Sequence, residues 1–309
     1  MGPSVRREHW RNVATMTRSR ELPFYFVDVF TDTPLAGNPL AVVADCEFLD
    51  DATMKRIARE FNQSETTFVL PPTQAGATWR LRCFTPTGFE AFGAGHNALG
   101  AWWWIAHAGR VPLADGWNRF HQELGDRVLP VEVIASDGQP REIVMTQTAP
   151  EFGAILSDEA GLAAALGLNA ADFGPLSKQV VSTGAPHLLV HLRDRGAIDR
   201  AKPDVARLAT LVRSAGGQGC YLFTLDPLIA RFFNPVAGIP EDPATGSAAG
   251  PLAAFLIANK MVDAGTVIVE QGHRLDRPSR IEVRVYADRV EIVGRCVVAA
   301  RGSLTVMTD

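Results

Sequence analysis

After Pro23 the chain runs in short apolar stretches separated by turn residues. Residues 24–31 alternate aromatic and β-branched side chains and predict a strand, with 40–44 as its neighbour. Between them, Pro34-Leu-Ala-Gly-Asn-Pro39 supplies turn chemistry. The period lengthens over 51–61, where Met54, Ile57, Ala58 and Phe61 share a helical face and Asp50 or Asp51 can cap the start. Strands are predicted at 66–70, 78–84, 131–135 and 142–147, the last two around the turn pair Asp137-Gly138. After Pro150 the pattern restarts. Helices are expected near 157–166 and 203–214, and strands near 179–182, 187–191, 219–225, 229–234, 267–270, 280–286 and 290–300.

One passage is written twice, about 150 residues apart. The first copy runs Arg82-Cys-Phe-Thr-Pro86 and then Gly95-His-Asn-Ala-Leu-Gly100; the second runs Arg231-Phe-Phe-Asn-Pro235 and then Gly246-Ser-Ala-Ala-Gly250. Each reads as a strand, a Pro- and Gly-rich turn carrying a polar residue, and an apolar helix. Residues 98–106, including Trp102-Trp103-Trp104, and residues 253–258 leave those helices almost no polar face. A surface helix would show a polar stripe, so both should be buried all round. The expected fold class is α+β: two similar domains, each a curved, mostly antiparallel sheet wrapped around a central buried helix. The first spans 22–140 and the second 141–296, with 297–309 available as a return strand to the first. Residues 1–21 carry Arg6, Arg7, Arg11, Arg18 and Arg20 without an apolar core, and read as a disordered or additional leader.

Composition narrows the function classes. With 47% hydrophobic and 21% charged residues, the 309-residue chain is an ordinary globular protein, long enough for two cores. A net charge of −4 gives no electrostatic footprint for nucleic acid or an anionic membrane, and no apolar run is long enough to cross a bilayer. Cys46, Cys83, Cys220 and Cys296 are far apart and form no CxxC pair, which suits reduced thiols in a cytoplasmic protein.

The candidate chemistry gathers at the repeat. Each apolar helix starts at a glycine turn, Phe92-Gly-Ala-Gly-His96 and Pro243-Ala-Thr-Gly-Ser247. Unpaired amides and the helix dipole make such starts ready anion sites, although one such turn alone is more often a plain cap. If the domains face each other, His96 and Ser247 look into one cleft. Asp242 lies on the cleft side of the second turn, whereas Glu241 reads as a turn carboxylate. Glu65 enters an apolar strand, where a carboxylate must be exposed, paired or functional. In a half-dry cleft its pKa would rise toward that of a general base and acid near neutral pH. Ser64 beside it could bind a ligand or merely turn the chain. Glu90 reads as a buried ion-pair member, and Cys83 and Cys296 as strand fillers. No histidine spacing marks a metal site, and no P-loop, nucleophile elbow or dinucleotide signature is present.

These residues make the chain resemble the PhzF-like isomerase family, named for phenazine biosynthesis, within the diaminopimelate-epimerase-type fold. The blocks are Asp28-Val-Phe-Thr, Gly37-Asn-Pro, Ser64-Glu-Thr-Thr-Phe-Val, Phe84-Thr-Pro, Ala94-Gly-His, Glu241-Asp-Pro-Ala-Thr-Gly-Ser-Ala-Ala-Gly-Pro, and Glu270-Gln-Gly through Arg277-Pro-Ser-Arg-Ile. The resemblance implies a cofactor-free isomerase, a homodimer, acting on a small carboxylate such as trans-2,3-dihydro-3-hydroxyanthranilate. It places the catalytic glutamate on Glu65, catalytic contacts on His96 and Asp242, and substrate contacts on Ser64, Ser247 and the Gly95 and Gly246 amides. Racemases of the same fold use two cysteines where this chain has Ala94 and Thr245, which argues against that alternative. A binder without catalysis would not need the proton shuttle. The family usually reads Glu-x-Pro-Phe-Ala-Gly-His-Pro where this chain has Glu90-Ala-Phe-Gly-Ala-Gly-His-Asn97. Losing both prolines and gaining Gly93 should loosen that loop and reshape the pocket.

Overall fold

The computed structural model describes residues 18–308. Most of the leader predicted at 1–21 therefore lies outside the described residues. The first strand, β1 (Arg18–Val29), starts earlier than the expected onset near Pro23, because residues 18–22 pair with 304–308 at the chain's end. There follow β2 (Asn38–Val43), α1 (Asp51–Phe61), β3 (Glu65–Leu70), β4 (Trp79–Phe84), α2 (His96–His107), β5 (Gly116–Leu124), β6 (Arg127–Ser136) and β7 (Gln139–Gln147). The chain continues through β8 (Glu151–Ile155), α3 (Glu159–Leu166), β9 (Gln179–Ser182), β10 (Pro186–His191), α4 (Arg195–Arg200) and α5 (Val205–Ser214). It closes with β11 (Gly219–Phe223), β12 (Ile229–Asn234), β13 (Ile239–Asp242), α6 (Gly246–Ala258), β14 (Thr266–Gln271), β15 (Ser279–Val285), β16 (Val290–Gly294) and β17 (Cys296–Thr308).

The strands form one continuous, mixed sheet. Its first run passes from β17 through β1 to β7, with parallel pairs only at β2–β3 and β4–β5. The β7–β16 pair leads into a second run through β15, β14, β12, β11, β10, β9 and β8, with parallel pairs at β12–β14 and β10–β11. The order of pairings recurs. Each run has a parallel pair across a surface helix (α1, α5), an antiparallel step, and a parallel pair across an apolar helix (α2, α6).

Those apolar helices are buried as the missing polar stripe requires. In α2 every residue from Asn97 to Ala106 is buried, and α6 is buried from Gly246 to Leu256 except at Ser247. Helix α2 packs on β1 to β4, β6, β7 and β17, while α6 packs on β9, β10, β15 and β16. The tryptophan run is core. Trp102 stacks on Phe120 with centroids 5.5 Å apart and satisfies its indole N–H on Gln122 Oε1 at 3.0 Å. Gly100 is needed for close approach, since a Cβ there would lie 2.7 Å from Val29 and 2.8 Å from Leu40 side-chain carbons. All four cysteines are free and buried. Among the described residues no helix is long and apolar enough to cross a membrane.

Residues far apart in sequence are tied together at the turn between β1 and β2. Arg277 donates to the carbonyls of Ala36 and Gly37 at 2.8 Å each, and to Asp28 Oδ1 at 2.5 Å. Asp28 Oδ2 in turn accepts the Leu35 amide at 2.7 Å. Gly37 has a φ of 67°, and a Cβ there would fall 2.3 Å from the Val29 carbonyl oxygen, so that position demands glycine. Removing one member of a buried charged pair strands the other. Arg277→Met is therefore expected to lower unfolding free energy by about 3 kcal/mol in urea titration. Arg119→Met, which removes an exposed pair with Glu132, should cost less than about 1 kcal/mol.

Candidate active site

Glu65 owes its position to the end of α1. Asn62 caps that helix in the left-handed region (φ 50°), the chain reverses through Gln63 and Ser64, and Glu65 opens β3 in parallel register with Leu40 of β2. Its side chain is one-fifth exposed, with Oε2 3.7 Å from Nδ1 of His96, the first residue of α2. Burial, reinforced by the charge of Asp242, pushes the Glu65 carboxyl up to about 8, against a smaller downward pull from the Cys83 thiol. Burial alone pushes His96 down to about 4, so near neutral pH the two meet as a neutral acid and a neutral imidazole rather than as an ion pair. His96 Nε2 is buried and has no partner among the described residues.

Asp242 ends β13, ahead of α6, and is 8% exposed. Both of its oxygens are engaged: Asn38 Nδ2 donates to Oδ1 at 2.8 Å, and the Thr245 hydroxyl donates to Oδ2. Burial raises its pKa to about 6, while these two donors oppose the rise. Asn38 also donates to the Ala244 carbonyl at 2.8 Å, so one side chain from β2 fixes the turn before α6. Behind it lies fully buried Gln271, which donates to the Asp242 carbonyl at 2.7 Å and to Thr245 Oγ1 at 3.1 Å. Gln271 Oε1 accepts from the Tyr221 hydroxyl at 2.8 Å. The sequence gives Asn38, Thr245, Gln271 and Tyr221 no role in holding the site. The first three stand in the motif blocks quoted above, but only their contacts reveal what they hold.

The two glycine-tipped helix starts converge. Gly95 and Gly246 border one cavity of about 20 Å³, with Ser247, Phe30, Leu99 and Ile292 around it. That is about the room of one water molecule. Neither helix has a side-chain cap from its N-cap residue. Ser64 lies half-buried in the turn just before Glu65. A larger groove of about 420 Å³, lined among others by Asp32, Glu142, Glu270 and Glu282, contains none of the candidate residues.

The loop before His96 differs from expectation. Asn97 Oδ1 accepts the Gly95 amide at 2.8 Å, and its Nδ2 donates to the Gly93 carbonyl at 3.0 Å. Arg127 holds the Phe92 carbonyl at 3.0 Å. The asparagine thus pins the loop that the lost prolines were expected to loosen, and it occupies one amide that was expected to hold a carboxylate. Cys83, read as a strand filler, lies against Glu65, Thr67 and Asn97. Its thiol is pushed well above its ordinary value by burial first, so it is a weak donor and not a thiolate nucleophile. Glu90 pairs with Arg82 through two bonds of 2.7 Å. Glu241 is more than a turn carboxylate: it pairs in the same fork with Arg231, at 2.8 and 2.7 Å. Both repeated arginines therefore staple the loop leading to an apolar helix.

A glutamate whose folded pKa lies above its ordinary value supports the fold fully only while it stays protonated. That contribution is present below about pH 4.5 and is lost as pH rises through about 8. Glu65→Gln, which stays neutral, should melt close to wild type at pH 5 and roughly 5 °C higher at pH 9 in calorimetry.

Comparison with known proteins places the chain in a family. The family model described as phenazine biosynthesis-like protein (PhzC-PhzF) matches residues 27–302. The trans-2,3-dihydro-3-hydroxyanthranilate isomerase of Pseudomonas aeruginosa is 35% identical over 285 residues, covering 90% of this chain and 98% of that protein. A solved structure described as a predicted epimerase from Pseudomonas aeruginosa superposes with a TM-score of 0.80 at 33% identity, over 92% of this chain and 99% of that one. The PhzF-family phenazine biosynthesis protein of Bacillus anthracis gives 0.83 at 27% identity, with the same coverage. A hydroxyproline epimerase from Agrobacterium vitis, 12% identical with a TM-score of 0.61, covers 94% of this chain and 92% of its own and shares the fold alone. The chain belongs to the PhzF, or phenazine-biosynthesis-like, family and is an isomerase-type enzyme.

Proposed function

We propose that the protein is a cofactor-independent isomerase that moves a carbon-bound proton within a small unsaturated or cyclic carboxylic acid. Trans-2,3-dihydro-3-hydroxyanthranilate, or a close analogue, is the substrate that the curated relative's activity suggests. On this reading the chain is two similar domains, one around α2 and one around α6, and substrate binds between their helix starts, which part beyond the one-water cavity to admit it. The observation that carries the proposal is the placement of Glu65. It is a half-dry carboxyl, 3.7 Å from His96, kept basic by burial and by the charge of Asp242.

The ionised form of Glu65 takes a proton from carbon, and the resulting neutral acid returns it to another carbon of the same molecule. The enzyme ends as it began, so no redox partner enters the balance. Neutral His96 orients a polar substituent. The amides at the start of α6, with Ser247, face the negative charge that grows on the substrate's acid group, the Gly95 amide before α2 being taken by Asn97. Asp242, held by Asn38 and Thr245, remains charged and disfavours ionisation of Glu65, which strengthens it as a base. The two-thiol racemase reading has no support, since Ala94 and Thr245 occupy the required cysteine positions.

The decisive experiment supplies trans-2,3-dihydro-3-hydroxyanthranilate in deuterated water and follows product and deuterium uptake by mass spectrometry. Wild type should turn over with solvent exchange, and Glu65→Gln should lose at least ~1000-fold in rate while keeping its circular dichroism. Undiminished turnover by that variant would end the proposal. A second expectation concerns pH. Because the base form of Glu65 gains population as pH rises, kcat/KM should climb with an inflection near 8; a flat profile across pH 6–9 removes Glu65 as the base.

A further inference from the structure

Ser247 is the second residue of α6 and borders the cavity shared by both helix starts. Its hydroxyl lies 3.3 Å from Nε2 of His187, on β10. His187 is 2% exposed and sits edge-on to Phe232, with ring centroids 4.9 Å apart at 84°. Its other nitrogen, Nδ1, is buried and meets no hydrogen-bond partner among the described residues. Burial holds the ring neutral near pH 7, with its pKa pushed down to about 3.

A neutral imidazole carries one ring proton and can place it on either nitrogen. On Nδ1 the proton would be a buried N–H with nothing to receive it, and Ser247 would spend its own hydrogen on Nε2. On Nε2 it reaches Ser247 Oγ, and Nδ1 keeps only an unused lone pair. Orphaned buried N–H groups are the rarer defect. We infer that His187 is a positioning residue whose Nε2–H donates to Ser247 Oγ, leaving the serine hydroxyl hydrogen free to bond an acidic group of the ligand in the cleft. The inference rests on the carboxylate-binding cleft proposed above and makes Ser247 a dedicated donor within it. The consequence is directional. A serine fixed as a donor favours a carboxylate over an amide N–H at that end of the substrate.

Two measurements test this. Nitrogen-15 spectra of the histidine-labelled full chain at pH 7, assigned with His187→Gln, should show His187 neutral and protonated on Nε2. The Nε2 resonance should move in Ser247→Ala. A ring protonated on Nδ1, or a charged ring, overturns the inference. Calorimetric titration with 3-hydroxyanthranilate as carboxylate probe supplies the second arm. His187→Phe should weaken binding ~10-fold, and His187→Gln, which keeps an N–H donor, should recover most of that loss. In a Ser247→Ala background His187→Phe should cost nothing further. Additive losses, or a glutamine no better than phenylalanine, refute it. If the probe does not bind wild type, the substrate reading of the preceding section fails, and the tautomer measurement still decides the role of His187.

Discussion

Two poorly solvated carboxyl groups lie near enough for the charge of one to act on the other, and among the described residues only one of them receives strong donors. Asp242 receives the Asn38 amide and the Thr245 hydroxyl, and it keeps its charge at lower pH than its burial alone would allow. Among the described residues Glu65 has only the weak Cys83 thiol and a neutral imidazole at 3.7 Å, and it faces the charge of its neighbour. Like charges in a dry site cannot both be stable, so unequal hydrogen bonding pushes the two pKa values apart. Of the two, Asp242 ionises first, at about 6, and Glu65 keeps its proton up to about 8.

That inequality depends on contacts that span the length of the chain. Asn38 comes from β2 and Asp242 from the end of β13, and the turn carrying Asn38 is locked by Arg277 through Asp28, Ala36 and Gly37. The β7–β16 ladder joins the two runs of the sheet, and the β1–β17 ladder brings the chain's end back to its first strand. Two forked ion pairs, Arg82–Glu90 and Arg231–Glu241, then hold the loops that lead into α2 and α6. The Asp242 network is thus an outcome of long-range closure, since its donor Asn38 comes from 204 residues earlier in the chain.

The sequence was most readable where burial is complete. The apolar helices, the strands at 66–70 and 78–84 and the capped helix at 51–61 all carry apolar patterns that packing enforces. Strand β5 escaped notice because its run Gly-Trp-Asn-Arg-Phe-His-Gln-Glu-Leu is half exposed and has no clean alternation. Strand β8 is exposed at every residue, so no hydrophobic pattern could mark it. The repeated arginines were visible as text, yet their partners lie eight and ten residues away across a turn, a distance no helical or strand period reports. Asn97 shows the same limit in reverse. Its replacement of a proline looked like a loss of stiffness, until two side-chain hydrogen bonds turned it into a clamp.

What the chain's order of residues decided alone was the inventory: a duplicated strand–turn–helix unit and two helices with no face for water, the roles of Glu65, His96, Asp242 and Ser247 being implied by the family resemblance. These follow from local sterics, periodicity and side-chain chemistry, which need no knowledge of distant neighbours. Tertiary structure decided which carboxyl would carry a proton, which amide would be spent on Asn97, and which histidine would stand behind Ser247. Those outcomes depend on desolvation and on donors brought from strands far apart in sequence, and such fields exist only once the sheet has closed around its helices.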